Sequence, residues 1–162
     1  MSVHEARCSL PYRRDQLFDL AADVERYPEF VPWWVAARVR RREGDVYYTD
    51  QVIRFAMVRK RFGSKTTLRR PERIDVTASD GAIRNLHLTW SFEAGPENLC
   101  QVALAVELEL GSRLIEDLFA RAMTQGIEPI MSAFEAQAHR LYRVAAHEHV
   151  TAAGTARRAT PR

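Results

Sequence analysis

Hydrophobic residues alternate with polar or small residues along two segments in the second half of the chain. They occupy every second position from Leu86 to Phe92, and again from Cys100 to Leu110. Side chains on a β-strand point to opposite faces at every second residue, so this period predicts two strands of an antiparallel sheet. One face of such a sheet contacts a hydrophobic core and the other contacts water.

Other segments complete an α+β order of elements. Turn-forming residues separate further candidate strands at residues 2–9, 35–42, 46–56, 60–70 and 74–78. Residues 12–23 have the spacing of a short amphipathic helix. After Gly111 the period becomes helical, with Ser112 as N-cap, and this stripe predicts a long helix to about Val144. We expect a kink or a break in it at Gly126 and Pro129.

The segment from Phe18 to Trp34 joins the short helix to a turn rich in proline and aromatic residues. Because proline disfavours helix at the preceding residue, Pro28 and Pro32 are expected to divide this segment into short pieces. Four aromatic side chains follow the helix closely: Tyr27, Phe30, Trp33 and Trp34. A surface connection needs fewer aromatic residues. We therefore expect these four to form a plug that covers an apolar space.

The same segment resembles a family signature, FDL-x-ADVE-x-YP-x-F-x-PW. Supporting blocks follow in order: Phe62-Gly63-Ser64-Lys65, Asp80-Gly81 with Leu86 and Trp90-Ser91-Phe92, and Ala133-Phe134-Glu135 with Ala138. As an ordered set, from about Cys8 to about Tyr142, they resemble the coenzyme-Q-binding, START-like family. That family includes bacterial ribosome-association toxins and is related to polyketide cyclases.

The resemblance implies the helix-grip (START-like) fold, in which a curved antiparallel sheet of about seven strands surrounds a long C-terminal helix. It places a START-like lipid-binding domain at residues 1–146, and residues 147–162 are expected to form a disordered basic tail. A strongly curved sheet has more apolar inner surface than one helix covers. We therefore expect a ligand-binding cavity between sheet and helix.

Apolar residues on the predicted inner surfaces are the candidates for lining this cavity. Trp33 and Trp34 are placed at its mouth. The sheet would contribute Phe62, Leu88, Trp90, Phe92, Leu104 and Val106, and the helix Phe119, Met123, Ile127, Met131 and Phe134. Taken one at a time, such residues more often belong to plain core. The cavity hypothesis depends on the set.

Positive charge is concentrated in one part of the chain. The whole chain has a formal net charge of +3, from 24 basic and 21 acidic residues. Residues 38–73 hold twelve Lys or Arg and four acidic residues, a net charge of +8. The cations on the candidate strand 60–70 and just before it could contact an anionic membrane surface or RNA: Arg59, Lys60, Arg61, Lys65 and Arg69. The alternative is an ordinary solvated strand face.

Catalytic and metal-binding patterns are weak. We find no catalytic residue set, no glycine-rich phosphate loop and no metal motif beyond a thin His147-x-His149 pair. Cys8 and Cys100 have no metal or redox spacing, so reduced thiols are expected. The first ten residues lack the apolar core of a signal peptide. We therefore expect a cytoplasmic protein, peripheral at the inner membrane, with no cofactor beyond a bound lipid.

Three hypotheses follow, in this order. The first is a non-enzymatic binding protein that holds ubiquinone or a related polyprenyl lipid and supports respiration or quinone biosynthesis. The second, implied by the resemblance and the basic segment, is a ribosome-association toxin-like module that binds the large ribosomal subunit. The third is an enzyme related to polyketide cyclases and aromatases, which would need a polar acid or base inside the cavity. None of the three has DNA as a partner.

Overall fold

The computed structural model describes residues 2–81 and 83–143. Within these ranges the chain forms an antiparallel sheet with the order β1-β7-β6-β5-β4-β3-β2. The strands are β1 (Ser2–Leu10), β2 (Trp34–Glu43), β3 (Val46–Phe55), β4 (Val58–Arg69), β5 (Arg73–Ala78), β6 (Ile83–Ala94) and β7 (Cys100–Leu110). The predicted α+β arrangement with a seven-stranded antiparallel sheet is confirmed.

Helices connect and cover the strands. The α-helices are α1 (Arg14–Ala22), α2 (Tyr27–Phe30), α3 (Arg113–Ala122) and α4 (Glu128–Ala138). Short 3-10 turns occur at Val24–Arg26 and Pro96–Asn98, and a π-helical turn, His139–Arg143, follows α4. The predicted division of the aromatic segment is confirmed, although Pro28 lies in the first turn of α2, where its missing N–H costs no helical hydrogen bond.

The two faces of the sheet have opposite environments. Side chains of β7 alternate between buried and more exposed positions, and Trp90 and Phe92 of β6 are buried on the same side. This side, which we call the inner face, contacts α1 and α4, and the opposite side is the outer face. The alternation predicted for residues 86–92 and 100–110 is therefore confirmed.

The C-terminal helical region is divided into α3 and α4. The predicted cap is confirmed, since the Ser112 hydroxyl accepts a hydrogen bond from the Ile115 amide at 3.3 Å. Gly126 has a φ of 61°, which an α-helix does not permit, and Pro129 lies in the first turn of α4. The predicted break is confirmed, and it divides the predicted helix into two.

Aromatic side chains pack against one another in the core between α1, α4 and β6. The Phe18 and Phe92 ring centroids are 5.8 Å apart, and those of Trp90 and Phe134 are 4.8 Å apart. In the described ranges, no helix is both long and apolar enough to cross a membrane. Val144, the tail predicted at residues 147–162 and its His147–His149 pair lie outside the described residues.

Candidate ligand-binding site

The aromatic turn lies against the inner face, as the plug hypothesis requires. Trp33 has a φ of 72°, an unusual conformation for a bulky side chain, and its carbonyl accepts a hydrogen bond from the Arg54 amide at 2.8 Å. The Trp33 ring lies 6.2 Å from Phe55, and the Trp34 ring lies 5.9 Å from Tyr27. These contacts fix both tryptophans over the sheet.

A first cavity of about 80 Å³ lies between the aromatic turn, the inner face and α3. Its wall is apolar apart from Lys60 and Arg61, which border it on β4. The apolar wall consists of Trp33, Trp34, Ile53, Phe55, Phe62, Ile83, Leu86, Leu88, Val106, Leu108, Leu110, Ile115, Phe119, Met123, Ile127 and Ile130.

A second cavity of about 50 Å³ adjoins the first and lies beneath α1 and α2. The two cavities share Trp34, Phe62, Leu86, Leu88 and Ile130, so these side chains form the partition between them. The remaining wall of the second cavity is Ala21, Val24, Tyr27, Val31, Tyr47, Gln51, Thr66, Ile74, Val76, Trp90 and Leu104.

Most of the predicted cavity residues do line these spaces. Trp33, Trp34, Phe62, Leu88, Val106, Phe119, Met123 and Ile127 line the first cavity, and Trp90 and Leu104 line the second. Phe92, Met131 and Phe134 line neither, which corrects their predicted position. They are at most 2% exposed and fill the closed core, where Met131 Sδ lies 3.4 Å from Cys8 Sγ. That any of these residues binds a ligand stays a prediction.

A buried polar cluster on β3 and β4 reaches the second cavity through Gln51 and Thr66, and it is not among the site residues predicted from the sequence. The cluster consists of Thr49, Gln51, Ser64 and Thr66, each at most 5% exposed. The Gln51 amide donates to Thr49 Oγ1 at 2.9 Å and to Ser64 Oγ at 3.0 Å, and its oxygen accepts from Trp34 Nε1 at 2.7 Å. The two hydroxyls are 2.5 Å apart.

Two tyrosines complete the polar part of the second cavity. The Tyr47 hydroxyl donates to the Ala22 carbonyl at 2.8 Å, and the Tyr27 hydroxyl donates to the Ala21 carbonyl. Burial raises the pKa of Tyr47 to about 12, with the Thr66 hydroxyl opposing, and burial also raises the pKa of Tyr27. Both phenols are therefore neutral near pH 7 and act as hydrogen-bonding walls.

Helix α3 covers the first cavity with little buried surface. Of its residues only Phe119 is buried, against Phe55 at 5.8 Å and His4 at 6.0 Å between ring centroids. His4 Nε2 is buried and has no hydrogen-bond partner among the described residues. An unpaired polar atom beneath α3 reduces the stability of that contact.

The predicted basic residues divide between two locations. Arg59, Arg61, Lys65 and Arg69 are exposed on the outer face of β4. Lys60 lies on the cavity side of β4, since it pairs with Ile53 of β3, and contact of these five cations with a membrane or RNA stays a prediction. The register explains the difference, because adjacent residues on a strand point to opposite faces.

Charge on the outer face is separated by strand. The cations of β2, β3 and β4 surround Asp50, whose carboxylate lies 3.3 Å from Arg40 Nε and 2.9 Å from an Arg61 nitrogen. At the opposite edge, β1 and β7 expose Glu5 and Glu107. One half of the outer face is thus cationic and the other half has acidic residues.

Comparison with known proteins identifies relatives across nearly the whole chain. The ribosome association toxin RatA of Pseudomonas aeruginosa is 30% identical, over 88% of this chain and 99% of that protein. The mitochondrial coenzyme Q-binding protein COQ10 homolog B of Xenopus laevis is 27% identical, over 82% of this chain and 56% of that protein.

Structural comparison agrees on the fold. The Zhui aromatase/cyclase from Streptomyces sp. R1128 superimposes with a TM-score of 0.78 at 12% identity, over 89% of this chain and 97% of that chain, which shows a shared helix-grip fold. A family model described as polyketide cyclase / dehydrase and lipid transport matches residues 10–135. The chain therefore belongs to this START-like polyketide cyclase and lipid transport family.

Proposed function

We propose that this protein is a non-enzymatic binding protein that holds ubiquinone or a related polyprenyl lipid between the sheet and α3. The observation that carries the proposal is the first cavity, whose wall is apolar except where Lys60 and Arg61 border it. Each methylene buried there would contribute about 0.8 kcal/mol, so an isoprenoid tail could bind without a charged contact. The COQ10 relative, named a coenzyme Q-binding protein, supports a quinone as ligand.

Binding of such a ligand requires the site to expand. Cavities of about 80 and 50 Å³ are well below the roughly 300 Å³ typical of small-molecule sites. The wall that can move at least cost is α3, because it buries only Phe119. We propose that α3 moves away from β3 when the lipid enters.

Native mass spectrometry of the purified protein, followed by solvent extraction, tests the proposal directly. We expect a retained isoprenoid quinone or similar lipid, and uptake of a short-chain ubiquinone analogue on titration. Val106→Phe should fill the first cavity and block uptake. Val3→Phe adds the same volume at a position 63% exposed on β1 and should leave uptake unchanged. Extracts empty of lipid, with no uptake on titration, would contradict the proposal.

A transient contact with an anionic membrane would bring the protein to its ligand. Met57, at the tip of the β3–β4 hairpin, is 94% exposed, and Arg54, Arg59 and Lys60 flank it. An apolar tip among cations suits the surface of an anionic bilayer. Phe55 and Lys60 line the first cavity, so this tip would place the cavity beside the membrane.

Vesicle flotation tests the membrane contact. We expect binding to vesicles with anionic lipid, weaker binding to neutral vesicles, and a clear loss of binding for Met57→Glu. Val3→Glu is the matched control, since Val3 is also exposed and lies at the other edge of the sheet. Equal binding by both variants would exclude the hairpin as the contact.

The second candidate is binding to the large ribosomal subunit. It is supported by the RatA relative and by the cationic half of the outer face, where the Arg41 guanidinium lies 4.4 Å from the Tyr48 ring centroid. Binding through phosphates should weaken steeply with salt. Co-sedimentation with ribosomal subunits at increasing salt, for the wild type and Lys65→Glu, measures it, and lipid uptake should hardly respond to either change, because Lys65 lies on the outer face and lines neither cavity.

The third candidate, a cyclase-like enzyme, has less support. Tyr27 and Tyr47 are the titratable side chains among the residues that line the second cavity, and their raised pKa values make them poor bases. Turnover of a polyketide-like substrate by the purified protein would nevertheless favour this candidate over the first.

A further inference from the structure

We propose that the second cavity receives the head of the ligand, and that it selects a neutral head with carbonyl or ether oxygens while the tail lies in the first cavity. This inference rests on the proposed function, because it orients a ligand within the same two cavities. It adds a chemical class for the head and names the residues that select it.

The two cavities differ in the chemistry of their walls. Hydrogen-bonding side chains of the second cavity are Tyr27, Tyr47, Gln51 and Thr66, and no charged side chain lines it. The first cavity is apolar, with its two cations at one border. A ligand with an apolar tail and an oxygen-bearing head therefore fits the two cavities in one orientation only, with the head in the second cavity and the tail in the first.

The polar cluster also contains one hydroxyl hydrogen that the hydrogen bonds within the cluster do not use. Thr49 and Ser64 each carry one hydroxyl hydrogen, and their mutual contact at 2.5 Å uses one of the two. The Gln51 oxygen already accepts from Trp34 Nε1. Among the described side-chain hydrogen bonds, the second hydroxyl hydrogen has no acceptor. Of the cluster, Gln51 and Thr66 line the second cavity, so an oxygen that only accepts, such as a carbonyl, would meet their amide and hydroxyl donors there.

The absence of charge in the wall decides against an ionised head. A carboxylate or phosphate in the second cavity would lose its hydration without gaining a cationic partner, which costs more than neutral hydrogen bonds return. Such a head would instead stay near Lys60 and Arg61 at the border of the first cavity. Neutral and charged heads therefore predict opposite orientations.

Matched ligands separate these orientations. Titration calorimetry would compare a short-chain ubiquinone analogue, an alkylbenzene with the same tail and a fatty acid of similar length. We expect the quinone to bind about tenfold more tightly than the alkylbenzene. Gln51→Met should weaken binding of the quinone more than binding of the alkylbenzene and so remove this preference. Gln137→Met is the control, because Gln137 is 5% exposed and lies outside both cavities.

A second measurement uses the wild-type protein, so it does not require any variant to fold. In ¹⁵N NMR spectra of the wild type, the quinone should shift the Trp34 indole and Gln51 side-chain signals, and the alkylbenzene should shift them much less. If the quinone and the alkylbenzene bind with equal affinity and the quinone does not shift these signals, the head subsite is overturned, although lipid binding stands. A preference for the fatty acid would also overturn it. Binding of none of the three ligands would overturn the proposed function as well.

Discussion

Helices α3 and α4 cover the same sheet, but they bury very different numbers of side chains. α4 buries Ile130, Met131, Phe134, Gln137 and Ala138, whereas α3 buries only Phe119. α4 packs Met131 and Phe134 into the closed core and contributes only Ile130 to the cavity walls, whereas α3 covers the first cavity. The break at Gly126 and Pro129 thus separates a helix with five buried residues, α4, from one with a single buried residue, α3, and α3 is the one that we propose moves when a ligand enters.

Thiol reactivity should show the largest difference between the two regions. Cys8 contacts Met131 of α4, and burial raises the pKa of Cys8 to about 12. At pH 8 its thiolate fraction is then about a thousandfold below that of an ordinary thiol. A Met123→Cys variant would place a thiol at the end of α3, and we expect it to react far faster with iodoacetamide in peptide mass mapping. Similar rates at both positions would contradict the comparison.

Truncation in α4 should have the largest effect on stability. Phe134 is 2% exposed and contacts Trp90, so Phe134→Ala should lower the free energy of unfolding by about 3–5 kcal/mol. Leu114 on α3 is 69% exposed, and Leu114→Ala should change it by about 0.5 kcal/mol or less. Urea unfolding measures both, and comparable losses would show that α3 is as firmly held as α4.

Removal of the cap on α3 tests whether this helix opens by itself. Ser112→Ala should cost α3 about 1 kcal/mol, because the Ile115 amide loses its acceptor. If α3 opens locally, its amides should exchange about fivefold faster in hydrogen-exchange measurements while those of α4 stay unchanged. A uniform increase in both helices would instead mean that α3 opens only when the whole protein unfolds.

A charge change remote from both helices should have the smallest effect. The Arg73 guanidinium, 2.9 Å away on the outer face, lowers the pKa of Asp75. A lowered pKa means that the ionised Asp75 stabilises the fold above its unfolded pKa of about 3.9, and that this contribution is lost as the pH falls further. Asp75→Asn should therefore cost about 0.5–1 kcal/mol at pH 7 and nothing at strongly acid pH in unfolding titrations. A difference that persists in acid would contradict this assignment.

The fold was predictable because its main signals are local. Alternation on β6 and β7 identifies strands with one wet face, and Ser112, Gly126 and Pro129 mark where the helices begin and break. Each of these signals comes from the residue's own backbone preference or from its near neighbours. They needed no knowledge of distant contacts.

The site was less predictable because it depends on distant contacts and on polar residues that face inwards. Strand alternation assigned Phe92 to the inner face correctly and the helical stripe assigned Phe134 to the buried side of its helix, but their depth depends on the packing of α1 and α4. Gln51 and Thr66 are polar, so no hydrophobic pattern marks them as inner residues. The positions of Ser64 and Thr66, which alternate on the same side of β4 as Phe62, were the signal that could have indicated a polar wall.

The outer face concentrates positive charge on one half of the sheet. Its cations lie on β2–β4, near Lys60 and Arg61, whereas the β1–β7 edge exposes Glu5 and Glu107 beside a single Arg7. In the field of any polyanion the protein would rotate before contact, with the cavity border leading. Collisions would then be productive more often than random tumbling allows, and added salt would remove this advantage.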